Sequence, residues 1–295
     1  MNKRYFSDDS STGGGLHPPV IDTHVHFWKY NKKRDAWITD DMKVLQQDYL
    51  PEHLALNLKR NGVDGCVAVQ ADQSELETRF LTELAKTHPL IRGVVGWIDL
   101  RAENLEERLG HFSEYEIIRG YRHIAQAEPN DFLLEKDFQR GVSALKKFDY
   151  AYDILIYHYQ LPAAVEFVKQ FPEQKLVIDH CAKPDIRNKK IDDWKSLMRE
   201  IAKQTNVYCK LSGLFTEASS KNWSPADFYP YLDVVFDSFG VDRLMFGSDW
   251  PVILVSGMYV QWKSLLEKYM ENFKQEDKEK VFGVNAIQFY SLKEK

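Results

Sequence analysis

Eight short apolar runs recur along the chain, each divided from the next by a longer segment that includes helical patterns. The runs are "VIDTHVHFW", "VDGCVAVQ", "RGVVGWIDL", "IIRGYRHI", "YDILIYHY", "KLVIDHC", "VYCKLSGL" and "RLMFGSDW", all rich in Val, Ile, Leu, Tyr or Phe. Between them, "ETRFLTELAKTH", "DFQRGVSALKKF", "LPAAVEFVKQF" and "DDWKSLMREIAKQ" carry the helical pattern, and the last opens on aspartates that favour a helix N-terminus. Eight strands alternating with helices in 295 residues predict an α/β fold, a (β/α)8 TIM barrel over residues 20–295. A doubly wound sheet is the alternative, but no GxGxxG or GxxxxGK follows any run. Residues 1–19, polar and glycine-rich without an apolar stretch, predict a disordered tail rather than a secretory signal. The long first connection, residues 27–60, is expected to fold over the barrel mouth.

Composition narrows the partners. A net charge of −5 and a pI near 6.0 argue against nucleic acid and against an anionic membrane surface. No run approaches the roughly 18 apolar residues of a membrane span. Cys66, Cys181 and Cys209 are widely spaced with no CxxC, which fits free thiols in a cytoplasmic protein. The expected partner is a small molecule, and a homo-oligomer is compatible with the sequence.

The first run places Asp22, His24 and His26 two residues apart, so a regular strand would turn all three to one face. A hydrogen-bonded pair of core histidines is the plain alternative. Further along, "IDHCAKP" ends a strand on His180 with Lys183 just beyond, and "GSDWP" ends another on Asp249. "YHYQLP" offers His158 and Gln160, while "RGYRHIAQ" offers Arg122 or His123, neighbours that must face opposite ways. A barrel gathers its strand ends at one mouth, so several runs ending in His, Arg, Lys or Asp form a constellation. Two nucleophile readings are weak: Cys181 adjoins His180 and should face away from it, and "GSDWP" is not the GxSxG elbow.

These motifs resemble the amidohydrolase superfamily, in its branch of sugar-acid lactonases and pyrone-dicarboxylate lactonases. The resemblance rests on "IDTHVHFW", "RGYRHIAQ", "YHYQLP", "IDHCAKP", "CKLSGL", "MFGSDWPV" and the closing "VFGVNAIQFYSL", from about Val20 to Leu292. It implies a hydrolase that opens an aldonolactone, such as a fucono- or rhamnonolactone, by attack of water activated by Asp249. The implied metal set is His24, His26 and Asp249 with His180 as third histidine, or else His158, holding one divalent ion, zinc first. The region after the fourth run lacks the lysine a two-metal site would carboxylate. Metal-independent catalysis is the other course, with Arg122 and Lys183 polarising the carbonyl. His158, Gln160, His123, Trp97, Trp250 and Tyr49 are the expected substrate contacts. The rival activities are dicarboxylate-lactone or amide hydrolysis and metal-dependent decarboxylation on the same barrel; mere sugar-acid binding would not need Asp249.

Overall fold

The computed structural model describes residues 18–218 and 222–293; most of the predicted tail lies outside them. Eight parallel strands are found among the described residues, hydrogen-bonded in chain order. They are β1 (Ile21–Val25), β2 (Gly65–Val69), β3 (Ile91–Gly96), β4 (Ile118–Ile124), β5 (Ala151–Leu155), β6 (Leu176–Ile178), β7 (Val207–Leu211) and β8 (Leu244–Phe246). Chain order with parallel pairing is what right-handed strand–helix–strand crossovers produce. The ring closes where Thr23 Oγ1 donates to Phe246 O at 2.7 Å, His26 N to Trp250 O at 2.7 Å and Asp249 N to His24 O at 2.8 Å.

The helices between strands are α1 (Pro51–Arg60), α2 (Glu75–Thr87), α3 (Leu105–Phe112), α4 (Lys136–Leu145), α5 (Leu161–Lys169), α6 (Asp192–Ala202) and α7 (Pro225–Phe239), with α8 (Tyr259–Tyr269) after β8. Their starts follow local chemistry. Pro51 and Pro225 open α1 and α7, where a missing N–H costs nothing, and the Ser74 hydroxyl accepts from Glu77 N at 3.2 Å to cap α2. All the helical patterns read from the sequence become helices.

Two apolar cores result. The larger lies between strands and helices; the smaller fills the lower lumen with Ile21, Val67, Val69, Val95, Ala151, Val177 and Met245. Ala286, Phe289, Tyr290 and Leu292 of the closing segment pack against this inner core, so the lumen is a packed interior with its usable space at the opposite mouth. The long first connection does reach that mouth, where Trp37 and Met42 line a cavity. No helix among the described residues is long and apolar enough to cross a membrane.

Candidate active site

One residue of β1 is out of step. Asp22 pairs with Cys66 and Val25 with Ala68, so three steps along β1 oppose two along β2, a β-bulge. Asp22 therefore does not share the face of His24 and His26, as strict alternation predicts. Its carboxylate accepts from Ser248 N at 2.9 Å outside the lumen, beside Tyr259 of α8, and burial pushes its pKa up to about 6. The bulge re-aims His24 and His26 together into the mouth.

There their Nε2 atoms converge on one carboxylate oxygen. Asp249 Oδ1 lies 3.3 Å from His26 Nε2 and 4.0 Å from both His24 Nε2 and His180 Nε2. His26 Nδ1 meets the Val69 carbonyl at 2.8 Å, which requires the proton on Nδ1 and turns Nε2 towards Asp249. His180 Nδ1 is held by Ser212 Oγ at 2.8 Å. Burial holds the pKa values of His24 and His180 well below the usual histidine range, so both are neutral at pH 7. Burial alone would raise the Asp249 pKa, but His180, His26 and Lys183 outweigh it, and the group is a carboxylate at neutral pH.

Two of these residues hang on strained backbone. His180, Cys181, Ala182 and Lys183 all have left-handed φ, between 46° and 56°, and Asp249 has φ 59°. Non-glycine residues there cost ~1–2 kcal/mol each. The turn is clamped by Lys183 N→His180 O at 2.9 Å, Trp194 Nε1→Cys181 O at 2.8 Å and the Cys181 thiol to Lys210 O at 3.4 Å. Strain held this way is what sites needing an unusual side-chain direction display.

Beneath the histidines runs a buried charge network. Lys210 of β7 bridges Asp153 of β5 at 2.5 Å and Asp179 at 3.0 Å; Arg122 of β4 meets Asp179 at 3.1 Å, the carbonyl of Gln70 and, at 3.1 Å, the Gln70 side-chain oxygen. Tyr290 donates to Asp153 at 2.9 Å. Burial opposes ionisation of Asp179, yet Lys210, His24 and Arg122 hold its pKa well below the usual carboxylate range. The network also fixes His24. Arg122 Nη1 stands 3.1 Å from its Nε2, while Lys210 Nζ at 3.2 Å and Asp179 Oδ1 at 3.4 Å both face its Nδ1.

The mouth encloses a cavity of about 490 Å³ lined by His26, Arg122, Tyr157, His180, Lys183 and Asp249 among others. Lys183 is paired with Glu217 at 2.9 Å. The predicted substrate contacts lie elsewhere. β5 ends at Leu155, so strand alternation does not extend to His158, which binds the Lys183 carbonyl at 2.9 Å and lines a separate groove; Tyr157 faces the mouth instead. Gln160 spends its amide on the Ala125 carbonyl at 2.8 Å. His123, opposite in face to Arg122, stacks on Phe132 at 4.8 Å between ring centroids and pairs with Glu128, while Trp97 reaches His123. Trp250 and Tyr49 pack on each other at 5.2 Å. Asp179, Lys210, Asp153, Gln70 and Glu217 escaped the sequence reading. For Asp179 the signal was its place beside His180; a lysine inside "VYCKL", where an inward position demands a counter-charge, was the signal for Lys210.

The donor set suits a divalent cation. His24, His26 and Asp249 offer ligand atoms within 4.8 Å of one another, all buried, with His180 adjacent. His26 Nε2 and Asp249 Oδ1, 3.3 Å apart at the cavity wall, are nitrogen and oxygen donors of the kind a zinc ion takes. At His24 Nε2 a cation would compete with Arg122.

A parallel eight-stranded barrel with paired histidines on its first strand and an aspartate after its eighth, gathered at the mouth, defines a hydrolase built to activate water. The chain belongs to the amidohydrolase family, whose family model matches residues 21–292. It is 39% identical over 286 residues to an L-fucono-1,5-lactonase of Burkholderia multivorans, covering 93% of this chain and 96% of that one. An L-rhamnono-gamma-lactonase of Scheffersomyces stipitis is 26% identical over 61% of each chain. A crystal structure of a Burkholderia multivorans amidohydrolase with bound zinc superposes with a TM-score of 0.88 at 38% identity, covering 93% of this chain and all of that one.

Proposed function

We propose that this protein hydrolyses the lactone ring of an uncharged sugar acid, an aldonolactone of the L-fucono or L-rhamnono type. The observation that carries the reading is the convergence of three imidazoles on Asp249 at the mouth cavity, in a protein 39% identical to an L-fucono-1,5-lactonase. Asp249, ionised at neutral pH, takes a proton from water as the water oxygen bonds to the lactone carbonyl carbon. The resulting oxyanion gains from Lys183 on the cavity wall and, without a direct hydrogen bond, from the charge of Arg122. Collapse breaks the bond from that carbon to the ring oxygen, and Asp249 returns the proton to the ring oxygen as it leaves as a hydroxyl.

His24, His26 and Asp249, with His180, would hold a divalent ion such as zinc, which when bound polarises a carbonyl and lowers the pKa of water. His24 is set by Asp179 and Arg122, and His26 by the Val69 carbonyl, so the rings are aimed without it. Dicarboxylate lactones fit less well, because both cations on the wall already face carboxylates. The three free cysteines, all buried, support a cytoplasmic location.

The test is a pH-indicator screen over aldonolactones, pyrone dicarboxylates and amides, with and without chelator. Aldonolactones should be turned over fastest. Hydrolysis confined to pyrone dicarboxylates or amides would sink the reading.

A further inference from the structure

We propose that Glu217 is a specificity-determining residue: by pairing with Lys183 it removes the free cation a lactone bearing a carboxylate would need, and so restricts the cavity to uncharged lactones. This rests on the reading of the cavity as a lactone site and adds the residue that sets its charge preference.

Among the described residues, Arg122 and Lys183 are the lysine and arginine side chains that line the cavity. Arg122 spends its guanidinium on Asp179, the Gln70 oxygens and His24 Nε2, and turning to substrate would give up its contacts with the fully buried Asp179 and Gln70. Lys183 is therefore the cation that a substrate carboxylate could recruit. Glu217 comes from a different strand end, in the short turn Phe215–Glu217 after β7, yet its Oε1 stands 2.9 Å from Lys183 Nζ. The contact is fixed from both sides. Thr216 Oγ1, which donates to Gly213 O at 2.9 Å, stands 3.1 Å from the same Glu217 oxygen, and Arg187 N donates to the Glu217 carbonyl at 3.0 Å. Lys183 is anchored on the clamped left-handed turn. Both side chains are largely withdrawn from solvent, 13% and 19% exposed, so the pair is screened far less than a surface ion pair. Burial opposes the Lys183 charge, but Glu217 and Asp249 outweigh it and keep the ammonium above its usual range. A carboxylate ligand would have to displace Glu217, leaving that anion unpaired. A hydroxyl needs no displacement, because it carries no charge to compete with Glu217 and can accept from Lys183 while the ion pair stands.

The test compares binding of D-glucaro-1,4-lactone, which carries a free carboxylate, with D-galactono-1,4-lactone, which does not, by calorimetry. Wild type should favour the uncharged lactone. Glu217→Gln should move the ratio of association constants at least ~10-fold towards the carboxylate-bearing one, the scale of close charge pairs at binding sites. Glu217→Gln/Lys183→Met should abolish that gain, and Lys183→Met alone should push the ratio further towards the uncharged lactone. An unchanged ratio in Glu217→Gln, a gain that survives loss of Lys183, or no binding of the glucarolactone to Glu217→Gln at millimolar concentration would each overturn the proposal. A lactone hydrolysed during the titration would add its own heat, so the ratios are read with Asp249→Asn added to each protein, which slows turnover. A wild type that hydrolyses no lactone but shows these shifts would overturn the catalytic reading and leave the charge filter standing.

Discussion

Asp249 is the residue to which the proposed mechanism assigns the proton transfers, and its surroundings say what its loss should do. Asn is nearly isosteric, and the Asp249 backbone bond to His24 O, at 2.8 Å, does not involve the side chain. Asp249→Asn should therefore lower kcat about 10²–10⁴-fold, the usual contribution of a general base, while the thermal midpoint stays within a few degrees of wild type. Steady-state kinetics and calorimetric melting check the two halves, and near-normal turnover would place the base elsewhere. This residue and the two β1 histidines were legible in the sequence because a carboxylate and imidazoles at strand ends have few structural reasons to be there. His158 was misread because the residue type was right and the strand was assumed to run three residues too far. The turn His158–Gln160 carries that ring out of the lumen.

Two local elements aim the site. The β1 bulge moves Asp22 out and both histidines in, and the left-handed turn after β6 points His180 and Lys183 at the mouth. Gly213, after β7, is shaped to the second element. It has φ +64°, and a Cβ there would stand 2.6 Å from the His180 ring. Gly213→Ala should cost ~1–2 kcal/mol in backbone strain and displace the imidazole, so turnover should fall by well over tenfold with a melting shift of only some degrees. Equal turnover in the variant would mean that the His180 position is not critical. The loop after β2 has its own device. Glu77 of α2 accepts from the backbone N–H groups of Ala71, at 3.1 Å, and of Asp72, yet burial pushes its pKa up to about 8. A carboxyl raised in the folded state binds its proton more tightly there than in the unfolded chain. Its stabilisation is complete below pH ~4.5 and is lost as pH rises towards 8. Urea midpoints measured at pH 5 and pH 8 should fall with pH in wild type and change less in Glu77→Gln. Parallel slopes in the two proteins would show that Glu77 is ionised throughout.

At the scale of the whole barrel, the network of Asp153, Asp179, Lys210 and Arg122 joins β4, β5, β7 and the end of β6 across the lumen, with Tyr290 of the closing segment beneath it. Lys210 is fully buried between two carboxylates. Lys210→Met leaves both without their shared cation and should destabilise the fold by ~3–5 kcal/mol, read as a urea-midpoint shift. Lys210→Met/Asp153→Asn should recover part of that loss, since it removes one of the stranded charges. Additive costs in the double variant would argue that the two residues do not act as a pair.

The sequence by itself determined the strand–helix alternation, hence the barrel, and it marked His24, His26, Arg122, His180, Lys183 and Asp249 as polar groups at strand ends. Those features are local: period, glycine and proline punctuation, and residue types that burial tolerates only with partners. Tertiary structure decided which of them meet. The bulge that separates Asp22 from the histidines depends on pairing with β2, whose partner for Asp22 is Cys66 and for Val25 is Ala68. The Asp153–Lys210 contact spans 57 positions, and so does Arg122–Asp179. Glu217 reaches Lys183 only because successive parallel strands bring their C-terminal turns side by side at one mouth. No periodicity records that neighbourhood, since ring closure creates it after each segment has taken its own local form.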